Sequence, residues 1–67
     1  MKWHRLSKAE PKNGQLCIFM CLRNGAVADY FIRIWDERPC HRPFVEDIPE
    51  QNHFWYWAKV TLPEVKE

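Results

Sequence analysis

Glycine is scarce in this chain: Gly14 and Gly25 are the only 2 among 67 residues. A phosphate-cradling loop needs several glycines in close succession, so that class of nucleotide site is excluded. Cysteine is sparse and odd in number, at 3, which rules out a fully paired intramolecular disulfide framework and fits a reducing cytosol best. Long apolar runs are missing too. The longest, Leu16 to Leu22, falls far short of the ~20 residues that a membrane-spanning helix requires. Nor is there an excess of either charge. The formal net charge is +1 and the sequence pI is near 7.8, whereas a general nucleic-acid binder more usually has a pI above about 9. The charge is instead polarised, with Lys2, Arg5, Lys8 and Lys12 set against Glu10 at one end and Glu46, Asp47 and Glu50 further on. Basic residues ahead of an apolar run and the small residues Ala26-Val27-Ala28 imitate a secretory leader. Cleavage there would leave a remnant of about forty residues, a size at which folding usually needs disulfides or metals, so a cytoplasmic protein is expected. There are no internal repeats and no low-complexity tract.

What the chain does have is aromatic mass. It carries 4 Trp, 4 Phe and 2 Tyr, an aromatic share of 15%. Each ring can bury about 150–250 Å², which matters in a domain that covers only about 60% of the surface its unfolded chain would expose. Residues 1–67 are therefore read as one small domain. A typical ligand pocket of roughly 300–1,000 Å³ would hollow out its core, so a catalytic cleft is not expected.

The element that organises the chain is Arg23-Asn24-Gly25-Ala26. Asn-Gly between two apolar runs marks a two-residue hairpin with a type I′ turn. Strands are expected over about Gln15–Arg23 and Ala26–Asp36. An unbroken ladder from that turn pairs Leu22 with Val27, Cys21 with Ala28, Met20 with Asp29, Phe19 with Tyr30, Ile18 with Phe31 and Cys17 with Ile32. Cys17, Phe19 and Cys21 would then share an apolar face with Ala28, Tyr30, Ile32 and Ile34. The opposite face would mix Ile18, Met20, Val27 and Phe31 with Asp29 and Arg33. Ahead of the hairpin, Pro11-Lys12-Asn13-Gly14 reads as a turn, and Pro11 limits the Ser7-Lys8-Ala9-Glu10 capping-box pattern to one helical turn at most. Residues 37–53, with Pro39, Pro43 and Pro49, read as a long irregular excursion or as a loop holding a short helical turn near Val45 to Glu50. His53 to Val60 is the last strand, with Phe54, Tyr56, Ala58 and Val60 on one side and Trp55, Trp57 and Lys59 on the other. The fold class is mainly β, small β or α+β, with an antiparallel sheet of three to four strands built on the Asn24-Gly25 hairpin.

Chemistry-bearing residues are few. Cys17 and Cys21 lie four apart on a strand, roughly 13 Å, too far to share a zinc ion with Zn–S bonds of ~2.3 Å, so both read as core. Cys40-His41 with His4 or His53 has no zinc-finger spacing. Cys40 stands among Arg38, His41 and Arg42, which would lower a thiol pKa, but an exposed loop cysteine is the favoured reading. No metal, cofactor or catalytic residue is expected. Trp3, Trp35, Trp55 and Trp57 divide between core and contact surface, and Trp with Arg dominates binding hot spots. Trp3, Arg5, Arg33, Trp35, Arg38, His41, Arg42, Trp55 and Trp57 are therefore the candidate binding residues.

Trp3, Leu6, Pro11-Lys12-Asn13-Gly14, the apolar strand, Gly25, a second strand with Tyr30 and Phe31, a Trp-rich last strand and Leu62-Pro63-Glu64 occur in an order that resembles a small phage and prophage family, domain of unknown function 551. The likeness runs over nearly the whole chain, with four residues between Trp57 and Leu62 where the family pattern has two. It implies a short β-rich protein and brings no catalytic or binding residues with it. By analogy with small phage proteins, the expectation is a non-catalytic binding module that meets a host or phage protein, as a stoichiometric inhibitor of host machinery or of a defence system. The alternative is an accessory nucleic-acid binder using Lys2, Arg5 and Lys8 with exposed aromatics. No membrane partner is expected, and pairing of outer strands would allow a homodimer.

Overall fold

Asn24 and Gly25 both take positive φ, 52° and 80°, the backbone that a type I′ turn demands. They join two strands of a computed structural model that describes residues 2–38 and 45–62. In chain order the strands are β1, His4–Arg5; β2, Leu16–Arg23; β3, Ala26–Ile34; and β4, His53–Lys59. All pairings are antiparallel, and the order across the sheet is β1-β4-β2-β3. The fold is thus mainly strand, a four-stranded antiparallel sheet with a single 3₁₀ turn, Pro49–Gln51, among the described residues. No helix among them is long and apolar enough to cross a membrane.

The ladder of the hairpin differs from the expected one after its second rung. Arg23 pairs with Ala26 and Leu22 with Val27, but Cys21 pairs with Asp29, leaving Ala28 as a bulge. From there every pairing moves by one residue: Met20 with Tyr30, Phe19 with Phe31, Ile18 with Ile32, Cys17 with Arg33 and Leu16 with Ile34. A one-residue shift sends each side chain of β3 beyond the bulge to the opposite face. Phe31 and Trp35 consequently join Cys17, Phe19 and Cys21, while Tyr30, Ile32 and Ile34 leave them, the reverse of the unbroken register. The physical reason is ring area. The bulge places Phe31 at 5.1 Å and Trp35 at 5.8 Å from Phe19, centroid to centroid, and burying two rings there, one of them Trp, gains more ring area and pairing than burying Tyr30 with Ile32 and Ile34.

The core lies on that aromatic face: Cys17, Phe19, Cys21, Trp35, Trp55 and Trp57, with Leu6, Phe31 and Val45 packed against it. The N-terminal segment covers it. Leu6 N–H donates to the Trp55 carbonyl at 3.0 Å, and Trp57 Nε1 donates to the Ala9 carbonyl at 2.6 Å. Lys8 and Ala9 N–H both return to the Arg5 carbonyl, one turn and no more, before Pro11 is buried. Gly14, at φ 84°, then lets Gln15 N–H close on the Lys12 carbonyl at 3.0 Å while its own N–H reaches Trp35 O at 2.7 Å. The expected turn is therefore present, and it clips the N-terminal segment to the end of β3. On the approach to β4, Asp47 Oδ1 accepts the Trp55 N–H at 2.8 Å. That bond occupies β4 where the two-residue β1 stops.

Candidate functional site

The second face of the sheet follows directly from the register. Leu16, Ile18, Met20 and Leu22 of β2 stand beside Ile34, Ile32, Tyr30 and Val27 of β3, and beside Ala58, Tyr56 and Phe54 of β4. None of these side chains is charged. Ala58 is buried between its larger neighbours and the remaining β2 and β4 residues are half-buried, but β3 is open: Tyr30 is 68% exposed, Ile32 63% and Ile34 56%. Three strands about 4.8 Å apart and about 27 Å long give the face a footprint on the order of 400 Å², within the range of the largest apolar patch on a typical monomer, which is often functional. Arg5 marks its far rim, its guanidinium carbon 4.2 Å from the centre of the Phe54 ring and its Nη2 3.8 Å from Asp47 Oδ2.

The expected binding residues do not assemble into one surface. Trp35, Trp55 and Trp57 are core residues, 2%, 8% and 9% exposed, and as such they are corrected from the contact surface assigned to them. They are buried because the bulge and the pairing of β4 with β2 turn them towards Phe19 and the N-terminal segment. Trp57 also stacks on His4 at 4.7 Å. Trp3 is exposed beside β1. Arg5 is held by Phe54 and Asp47, and Arg38 by Asp36, whose carboxylate accepts from Arg38 Nε and, at 2.7 Å, from Nη2. Arg33 lies on β3 on the aromatic side, opposite Cys17. His41 and Arg42 lie outside the described residues, as does Cys40.

One close polar pair escaped sequence reasoning. Cys21 Sγ lies 2.8 Å from His53 Nε2, and His53 Nδ1 lies 3.5 Å from Arg23 Nη2. Since an arginine only donates, Nδ1 accepts and Nε2 carries the proton towards sulfur. Burial pushes the Cys21 thiol up from its ordinary pKa, with Arg23 opposing and Asp29 and Asp47 adding to the rise. A fully buried thiol in that state is a packed hydrogen-bond acceptor and a poor nucleophile. Cys17, likewise buried and free, is also raised by burial. Sequence spacing holds no signal for the Cys21–His53 contact, because it depends on how β4 registers against β2, where Arg23 opposes His53.

A surface groove of about 350 Å³ lies between the N-terminal segment and the approach to β4. It reaches the core at Trp35 and Trp55. Leu6, Ser7, Val45 and the edges of Trp35 and Trp55 line it with Glu10, Glu46 and Asp47. Asp47 is committed to Trp55 and Arg5. No group of three or more His, Cys, Asp or Glu suited to a metal ion occurs among the described residues.

Comparison of the chain with family models, with curated proteins and with solved structures gives no match.

Proposed function

We propose that this chain is a non-catalytic, cytoplasmic protein-binding module that works through the open aliphatic face of its sheet. The observation that carries the reading is the placement of Val27, Tyr30, Ile32 and Ile34, large and exposed, side by side on one strand. Water-exposed apolar area of that extent is costly to keep unless a partner covers it. The partner is a protein with an apolar patch of its own. Phosphate recognition needs cations facing the ligand, and among the described residues this face offers none between Arg5 at one rim and the β3 edge at the other. The finer proposal, a phage- or prophage-type inhibitor that occupies a host or defence protein such as a CRISPR effector, draws its support from the sequence resemblance.

The test is capture from a bacterial lysate by tagged wild-type chain and by Ile32→Asp, with far-UV circular dichroism to show that the variant is folded. A band that survives high salt and nuclease with wild type and disappears with the variant supports the reading. A band kept equally by both, or recovered only at low salt and lost with nuclease, overturns it, and the latter outcome moves the function to nucleic acid.

A further inference from the structure

We propose that the outer edge of β3 pairs antiparallel with the same edge of a second copy of this chain, about a two-fold axis at Phe31. The sheet order leaves β3, nine residues long, at one margin and only the two-residue β1 at the other. Trp35 N–H donates to the Gln15 carbonyl at 2.8 Å, so alternation directs the backbone groups of Arg33, Phe31 and Asp29 towards β2 and those of Ile34, Ile32 and Tyr30 outward. The Tyr30 N–H agrees with this, since it is met by the Asp29 carboxylate at 2.8 Å. Natural edges are blunted by charged side chains, especially Lys, by Pro, short length or a bulge. β3 contains neither Lys nor Pro, its bulge lies at Ala28, clear of the stretch from Tyr30 to Ile34, and the two charges it carries, Asp29 and Arg33, are of opposite sign.

What selects a second copy as the occupant is charge. Asp29 and Arg33 are spaced symmetrically about Phe31 and lie on the same face. A two-fold axis at Phe31 sets Asp29 opposite Arg33 of the second copy, and Arg33 opposite Asp29 of the second copy. The same operation sets Tyr30 opposite Ile32 of the second copy, in the rungs where the outward backbone groups meet, and Phe31 opposite itself. Tyr30 N–H then passes from its neighbour's carboxylate to a carbonyl across the axis, and Asp29 turns to the arginine. Directly opposed unlike charges and aromatic pairs are the side-chain terms that stabilise such rungs. The pairing also accounts for where exposure is concentrated. Tyr30, Ile32 and Ile34 are the open residues of the face, and lateral contact with the second copy's β3 covers their outer flanks. Strand-edge contacts fall in the small-interface class, so association in the micromolar range is expected. Edge pairing leaves the apolar face open and doubles its width, and it stands or falls apart from any partner on that face.

The experiment is sedimentation equilibrium of the pure full-length chain from about 1 to about 200 μM, where micromolar affinities are resolved. Wild type is expected to rise from 8.2 kDa towards twice that mass. Asp29→Arg and Arg33→Asp should each weaken association about tenfold, and the double exchange D29R/R33D should recover most of the loss. Arg33 also has contacts within its own chain, so Ile32→Pro serves as a second variant. The Ile32 N–H faces outward; the substitution leaves the β2 ladder bonded and should abolish the dimer while far-UV circular dichroism is kept. A monomer at every concentration overturns the proposal. So does a dimer that ignores the single exchanges and Ile32→Pro, or a folded double exchange that fails to recover.

Discussion

The two faces of one sheet have opposite fates. On one, Phe19 is flanked by Phe31 and Trp35, and an N-terminal segment crosses Trp55 and Trp57 with backbone hydrogen bonds at its ends. On the other, an uncharged surface of aliphatic side chains with Tyr30, Phe54 and Tyr56 ends in the exposed side chains of β3. The strands and their rungs are shared, so the contrast arises from what each face is given to pack against. The covered face holds the fold together. On the open face the β3 side chains Tyr30, Ile32 and Ile34 contribute little to stability and are free to serve recognition.

Truncation on each face should separate these roles. Phe19→Ala removes the fully buried ring at the centre of the aromatic cluster and is expected to cost about 3–5 kcal/mol, most of the stability of so small a domain. Urea denaturation would read it, and a loss below about 1 kcal/mol would mean that the cluster is loosely packed. Gly25→Ala, at φ 80°, should cost roughly 1 kcal/mol or more through left-handed backbone strain, visible as a lower melting midpoint. The thiols give a pH test of the covered face. Burial holds Cys17 and Cys21 protonated above the pKa they have in the unfolded chain. Their contribution is therefore fully present below about pH 8.5 and falls as the pH rises towards the folded-state values. Between about pH 8 and pH 10 the melting midpoint should decline less steeply in Cys17→Ala than in wild type, and equal slopes would show that this thiol is not protected. Smallest of all, Ile32→Thr on the open face should change stability by no more than about 0.5 kcal/mol in the same urea titration. A larger loss would mean that this face is already covered within the chain.

Much of this arrangement was legible because it is local. Asn24-Gly25 specifies its own turn through positive φ, Pro11 and Gly14 set the N-terminal corner, and alternation along β4 separates Trp55 and Trp57 from Phe54, Tyr56 and Ala58. The strand ends were read less closely, since β3 stops at Ile34 rather than Asp36 and β4 at Lys59 rather than Val60. The Trp/Arg surface failed at Trp35, Trp55 and Trp57 because their rings are assigned by contacts across strands far apart in sequence.

The sequence by itself determined the turn, the three long strands and the antiparallel class, because these follow from backbone preferences and from a period of two within short segments, whereas the two-residue β1 carries no such period. Tertiary structure alone decided that β4 lies inside the sheet, that Ala28 bulges, and hence that β3 presents Tyr30, Ile32 and Ile34 outward. The reason is that a single unpaired residue costs little locally yet exchanges the two faces of a whole strand. Only the competition between burying Phe31 with Trp35 and burying Tyr30 with Ile32 and Ile34 settles which face is exposed.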